Sequence, residues 1–140
     1  QTCALPILFR LYLSKLRTGM IIQKLLRKVN DEYEMAERYY SLLSTINNLK
    51  LTQREVQLIA FTAVRGNISY SSIREDFCKQ YNTSSPTINN MISKLKKVKV
   101  LVKDGSKVKV NPIIVLDFKK PLMLEIKMEH NGKDIKGDIS

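Results

Sequence analysis

The stretch Thr83-Ser84-Ser85-Pro86-Thr87-Ile88-Asn89-Asn90-Met91-Ile92-Ser93-Lys94-Leu95-Lys96-Lys97 decides how the rest of this chain is read. Asn82, Thr83 and Ser84 are turn formers, because their short polar side chains satisfy local backbone groups. Ser85 then reads as a helix cap and Pro86 as the first helical residue, where a missing N–H costs no hydrogen bond. Ile88, Met91, Ile92 and Leu95 follow at i, i+3, i+4 and i+7, which predicts a helix to about residue 97 with those four facing a core. The same geometry turns Thr87, Asn90, Ser93, Lys94 and Lys97 outward and leaves Asn89 and Lys96 on the flanks.

Beyond Lys97 the period shortens to two. Val98, Val100 and Val102 alternate with lysines, Asp104-Gly105-Ser106 supplies a turn, and Val108 and Val110 resume the alternation. A β-hairpin carrying Lys99, Lys103, Lys107 and Lys109 is expected here. Upstream, Leu51-Thr52-Gln53-Arg54-Glu55 is a capping box. The Thr52 hydroxyl can accept from the third amide while Glu55 reaches back to the Thr52 N–H. Val56, Ile59, Ala60 and Ala63 continue one helical face toward Gly66, a residue suited to a left-handed exit. A helix over Gln53–Arg65 follows. A second, over Ser71–Tyr81, is expected from Ile73, Phe77 and Tyr81 spaced at four. Asn67-Ile68-Ser69-Tyr70 between them has room only for an extended link or a minimal strand.

Toward the amino end, Ile22, Leu26, Val29, Tyr33, Ala36, Tyr40 and Leu43 alternate steps of four and three. This predicts a helical segment within 20–50, as one long helix or two broken near Asn30-Asp31; a strand over 21–29 is the competing reading of its first part. The stripe fits packing on its own chain and a dimer seam equally. Tyr39 and Tyr40 read as core or interface rings. Asp31, Glu32, Glu34 and Glu37 suit the positive end of a helix starting near Asn30. Gln1-Thr2-Cys3-Ala4-Leu5-Pro6-Ile7 back-translates as CAG ACG TGT GCT CTT CCG ATC, a string like a sequencing adapter. Residues 1–19 are therefore expected to be a non-native leader, with native translation from Met20. At the other end, Leu122, Leu124, Ile126 and Met128 alternate with Met123, Glu125 and Lys127, predicting a strand within 119–130 and a flexible tail over 131–140.

Three short helices, a tight turn before the third, and a lysine-rich hairpin after it resemble a winged helix-turn-helix domain. The resemblance covers residues 51 to about 110, within a domain drawn at 51–118. Residues 83–97 are similar to the recognition helix of MarR-like regulators: a polar turn, then Thr-aliphatic, a second aliphatic four on, and Leu three beyond. The resemblance implies an α+β fold, a three-helix core plus a β-hairpin wing, here with an N-terminal helix and C-terminal strands. It also implies a double-stranded DNA-binding protein, either a transcriptional regulator or a replication-associated factor, with no enzymatic activity. Lys99 departs from the family, which commonly has Gly at this corner. The long C-terminal dimerising helices of MarR-like proteins are also missing, so a homodimer would have to use the amino-terminal stripe or the final strands.

Charge agrees with that expectation. Lys and Arg number 24 against 13 Asp and Glu, a net charge of +11, and residues 85–120 hold nine lysines against Asp104 and Asp117. A local excess of this kind favours a polyanionic partner. Asn89 and Asn90 can pair with adenine and the Thr87 methyl can touch a thymine methyl. Thr83, Ser84 and Ser85 offer hydroxyls and helix-end amides to a phosphate. Lysines from 94 to 109 suit phosphates rather than bases, and about six such contacts give a log K versus log salt slope near −5. Asn89-Asn90 equally fits a solvated surface, and Ser84, Ser85 and Thr87 fit caps alone. The alternative function is a winged-helix protein-interaction or structural module of a phage or mobile-element assembly. RNA ranks below both, for want of an exposed aromatic pair. No catalytic residue, metal ligand set or cofactor is expected. His130 is the sole histidine, Cys78 reads as a small core residue, and neither a Gly-rich phosphate loop nor zinc-ligand spacing occurs. Cysteine usage suits a reducing cytoplasm, and no apolar run nears the ~18 residues of a membrane span.

Overall fold

Asp31 starts the first helix: its carboxylate accepts from the Glu34 N–H at 2.8 Å while Glu34 takes the Asn30 N–H at 2.9 Å. The structure, a computed structural model, describes residues 9–15 and 20–131. Helix α1 runs Glu32–Ile46 and buries Ala36, Tyr40 and Ser44, spaced at four. Tyr33, Met35, Tyr39 and Leu43 pack against the same core, so this part of the stripe is intramolecular. Its earlier part is not helical. Ile21–Arg27 is strand β2, paired antiparallel with β1, Phe9–Lys15, in a register from Phe9↔Arg27 to Lys15↔Ile21. Ile22 and Leu26, four apart, share a face of a strand as well as of a helix, and the Asp31 cap marks where the helix begins. The expected helical segment over 20–50 is thus a strand followed by a helix. Of the expected leader, 1–8 and 16–19 lie outside the described residues.

Helix α2, Gln53–Arg65, forms as the capping box dictates. Thr52 Oγ1 accepts from the Glu55 N–H at 3.2 Å, Glu55 Oε2 accepts from the Thr52 N–H at 2.9 Å, and Gly66 leaves at φ +91°. Helix α3, Ser71–Tyr81, ends at Asn82 with φ +50°. Helix α4 is Ser85–Lys97. Phe61, Phe77 and Tyr81 stack where α2 and α3 meet, with centroids 5.4 Å apart for the first pair and 4.6 Å for the second. The Tyr81 hydroxyl donates to Glu37 at 3.2 Å; burial first, and the Glu37 charge second, push its pKa up to about 12.

Strands β3, Leu101–Asp104, and β4, Lys107–Val110, pair antiparallel around Gly105 at φ +61°. Leu101, Val108 and Val110 enter the core beside Ile88, Met91, Ile92 and Leu95. The link after α2 lies along β4: the Ile68 N–H donates to Val108 O at 2.9 Å, and the Ser69 hydroxyl accepts from the Val108 N–H. A side chain thus supplies one of the two bonds that a third strand would supply. After β4 a 3-10 turn, Pro112–Ile114, leads the chain onto α1, where the Tyr40 hydroxyl donates to Ile114 O at 2.7 Å. Phe118 closes the edge, 5.7 Å from the Tyr39 ring and 5.6 Å from that of Tyr40. Burial drives the Tyr40 phenol pKa upward.

The expected strand within 119–130 does not form. The alternation is present, but no described strand pairs with it, and Met123 and Met128 stand 92% and 87% exposed. A strand needs a neighbour for its backbone groups, which side-chain alternation cannot supply. The expected tail beyond 131 is outside the described residues. Among the described residues the architecture is α+β: four α-helices, with a small antiparallel hairpin on the helical core and another at the amino end.

Candidate nucleic-acid interface

Helix α4 starts one residue earlier than its sequence suggests. Ser84, not Ser85, is the cap, its hydroxyl 3.4 Å from the Thr87 N–H and 2.8 Å from the Thr87 hydroxyl. Both serines can serve, and the structure chooses the one that puts Pro86 in the second helical position, still free of any intrahelical donor duty. Ile88, Met91, Ile92 and Leu95 are buried, while Ser84, Ser85, Thr87, Asn89, Asn90, Ser93, Lys94 and Lys97 are exposed and Thr83 is half-buried.

The exposed side of α4 is not uniform. On one flank, the Lys94 ammonium lies 2.8 Å and 3.0 Å from the two carboxylate oxygens of Glu55, the buried capping-box residue of α2. On the other, Asn89 Oδ1 accepts from Arg74 Nη1 at 2.8 Å, and the Arg74 Nε donates to Ile68 O, also at 2.8 Å. One guanidinium therefore ties α4, α3 and the link after α2 together. Between these two braces runs a single row, Pro86, Asn90, Ser93 and Lys97, spaced four, three and four and exposed throughout. Lys94 and Asn89, both chosen from sequence as outward or flanking binders, are engaged by the protein's own side chains.

The corner after α4 is left-handed. Lys99 has φ +62°, and the helix closes on it with Lys99 N–H to Lys96 O at 3.0 Å and Val100 N–H to Leu95 O at 3.0 Å. That bond pair usually favours glycine at the turning residue. Here Asn111 holds the corner from outside, its Nδ2 donating to Lys99 O at 3.1 Å and its own N–H to Val100 O at 2.8 Å. Val98 is the helix cap rather than a strand residue, so the hairpin begins at Leu101. Along the hairpin Lys103 and Lys107 are exposed, whereas Lys109 is half-buried and paired with Asp104 at 2.6 Å. That ammonium holds the Asp104 carboxyl below its usual pKa.

Among the described residues, Lys96, Lys97, Lys99, Lys103 and Lys107 make no ion pair, and no Asp or Glu occurs from residue 77 to 103. Sequence reasoning missed Arg74, Glu55 and Asn111 as organisers of this region. Glu55 was recognisable as a capping residue, but its second bond reaches 39 residues ahead, and nothing local announces that of Arg74. His130 is exposed and Cys78 half-buried. Among the described residues no group of three His, Cys, Asp or Glu is placed to share a metal ion, and no helix is long and apolar enough to cross a membrane. An open groove lined by Thr62, Ala63, Gly66, Lys109, Val110, Pro112 and Val115 offers one ionisable side chain, that of Lys109. No protein-family model, curated protein or solved structure matches the chain.

Proposed function

We propose that this chain is a winged helix-turn-helix protein that binds double-stranded DNA as a cytoplasmic transcriptional regulator or replication-associated factor. In this reading α4 enters the major groove and the β3–β4 hairpin grips the backbone or minor groove. The observation that carries it is the exposed row Pro86, Asn90, Ser93 and Lys97 on a helix braced at both flanks, continued by lysines without acidic partners. A rigid polar row can meet base edges, and mobile ammonium groups beyond it neutralise phosphates. A homodimer on paired half-sites fits the small size of one such face.

Fluorescence anisotropy with duplex DNA across a salt series tests the reading. Five unpaired lysines on phosphates give a slope of about −4 to −5 in log K against log salt. Charge reversal at Lys97 and Lys103 should abolish binding; Lys94 is unsuitable, because a glutamate there would face buried Glu55. A flat salt profile overturns the proposal. The second reading, a protein-interaction module, draws on the exposed Ile21, Leu25, Met123 and Met128, and predicts that the same charge reversals leave partner binding intact.

A further inference from the structure

Two asparagines stand side by side on α4, and the structure gives them different surroundings. Arginine can only donate, so its 2.8 Å bond to Asn89 fixes that amide with Oδ1 turned toward Arg74. The guanidinium cannot follow Asn89 outward without giving up Ile68 O, which its Nε holds at 2.8 Å. Asn90 is exposed, sits in the row with Pro86, Ser93 and Lys97, and makes no side-chain bond to a described residue.

Resting on the reading of α4 as a recognition helix, we infer that Asn90 specifies an A·T pair in the target and that Asn89 is a positioning residue. Adenine readout in the major groove uses both halves of an amide: the carbonyl accepts from N6 and the NH2 donates to N7. Asn90 has both halves free. Asn89 has its carbonyl committed to Arg74 and lies on the flank. Its task is to fix the roll of α4 against α3 so that the neighbouring row meets the groove. The site therefore takes duplex DNA with adenine opposite Asn90; the helical spacing already sets Asn89 on the flank, and the structure adds the Arg74 bond that commits its carbonyl.

Selection from a random duplex library, followed by affinity measurement on the selected site and its single base-pair changes, tests the assignment. The wild-type protein is expected to select an A·T pair that Asn90→Ala no longer distinguishes, a loss of discrimination of roughly tenfold or more. Asn89→Asp keeps an acceptor for Arg74 but has no amide donor, so a bidentate contact from this position is impossible. It is expected to preserve the base preference while weakening all duplexes alike. Asn89→Ala should weaken all duplexes without changing which pair is preferred. If the preference disappears in Asn89→Asp and survives in Asn90→Ala, the assignment is wrong while the DNA reading stands. A wild-type protein that binds duplexes with no base preference overturns the assignment as well. Absence of duplex binding by the wild type overturns the DNA reading and takes the assignment with it.

Discussion

Leu95 and Leu124 carry the same side chain on segments whose apolar spacing is equally regular, yet the first is fully buried and the second 40% exposed. Helix α4 satisfies its own backbone, so its stripe needs only a surface to lie on, and α3 with strand β3 provides one. Residues 122–128 alternate as a strand should, but a strand leaves its backbone groups unpaired until another strand arrives. Periodicity selects a face and leaves its partner unspecified. Leu95→Ala should destabilise the fold by about 2–5 kcal/mol, whereas Leu124→Ala should change stability by less than about 0.5 kcal/mol. Urea unfolding of the two variants checks it, and a comparable cost at Leu124 would mean that the carboxy-terminal segment packs after all.

The same contrast can be drawn within α4. Lys94 is spent on Glu55 while Lys97 is free, so stability and DNA affinity should respond in opposite order. Lys94→Ala is expected to cost about 1 kcal/mol of stability, a figure moderated by the partial exposure of the ammonium. Lys97→Ala should stay within about 0.5 kcal/mol. In binding, Lys97→Ala should lower affinity and reduce the salt slope by about 1, with a smaller effect for Lys94→Ala. Equal behaviour of the two in both measurements would erase the distinction between brace and row.

A smaller effect concerns the junction of α1 with α3. Unfolded tyrosine titrates near pH 10, and folded Tyr81 only at about 12. As pH rises through that interval the unfolded chain loses its proton first, so stability is complete below about pH 10 and declines toward 12. Tyr81→Phe should flatten that decline in denaturant titrations at successive pH values. An unchanged slope would show that neither burial nor Glu37 raises the Tyr81 pKa in the folded chain.

Elements specified by close neighbours along the chain are legible in the sequence. The Thr52–Glu55 box, Gly66 as an exit and the Ile88–Leu95 stripe each involve residues within seven positions, and α2, α3 and the body of α4 form where expected. What is not legible depends on ambiguity or distance. Ile22 and Leu26 fit helix and strand alike, Ser84 and Ser85 fit the cap alike, and the two braces of α4 join residues 15 and 39 apart. The candidate face is therefore visible in sequence as a set of outward residues, while its division into a free row and two engaged flanks is not.

Lys99 gives the finest comparison, that between a corner shaped by its own residue and one held from outside. A left-handed conformation costs an ordinary L-residue about 1–2 kcal/mol, and glycine avoids this while adding entropy to the unfolded chain. Asn111 holds the Lys99 carbonyl whatever side chain stands there, because it bonds backbone. Lys99→Gly should therefore keep the corner and raise stability by up to about 1 kcal/mol, read as an increase in urea midpoint at unchanged m-value. The same variant removes one ammonium, so the salt slope of DNA binding should lose about 1 and base preference should not change. Under the proposed DNA-binding reading, Lys99 supplies a phosphate contact from a position where glycine would leave the fold more stable. If Lys99→Gly leaves both affinity and salt slope untouched, the corner lysine has no part in phosphate contact and the cationic surface ends at Lys97 and the hairpin.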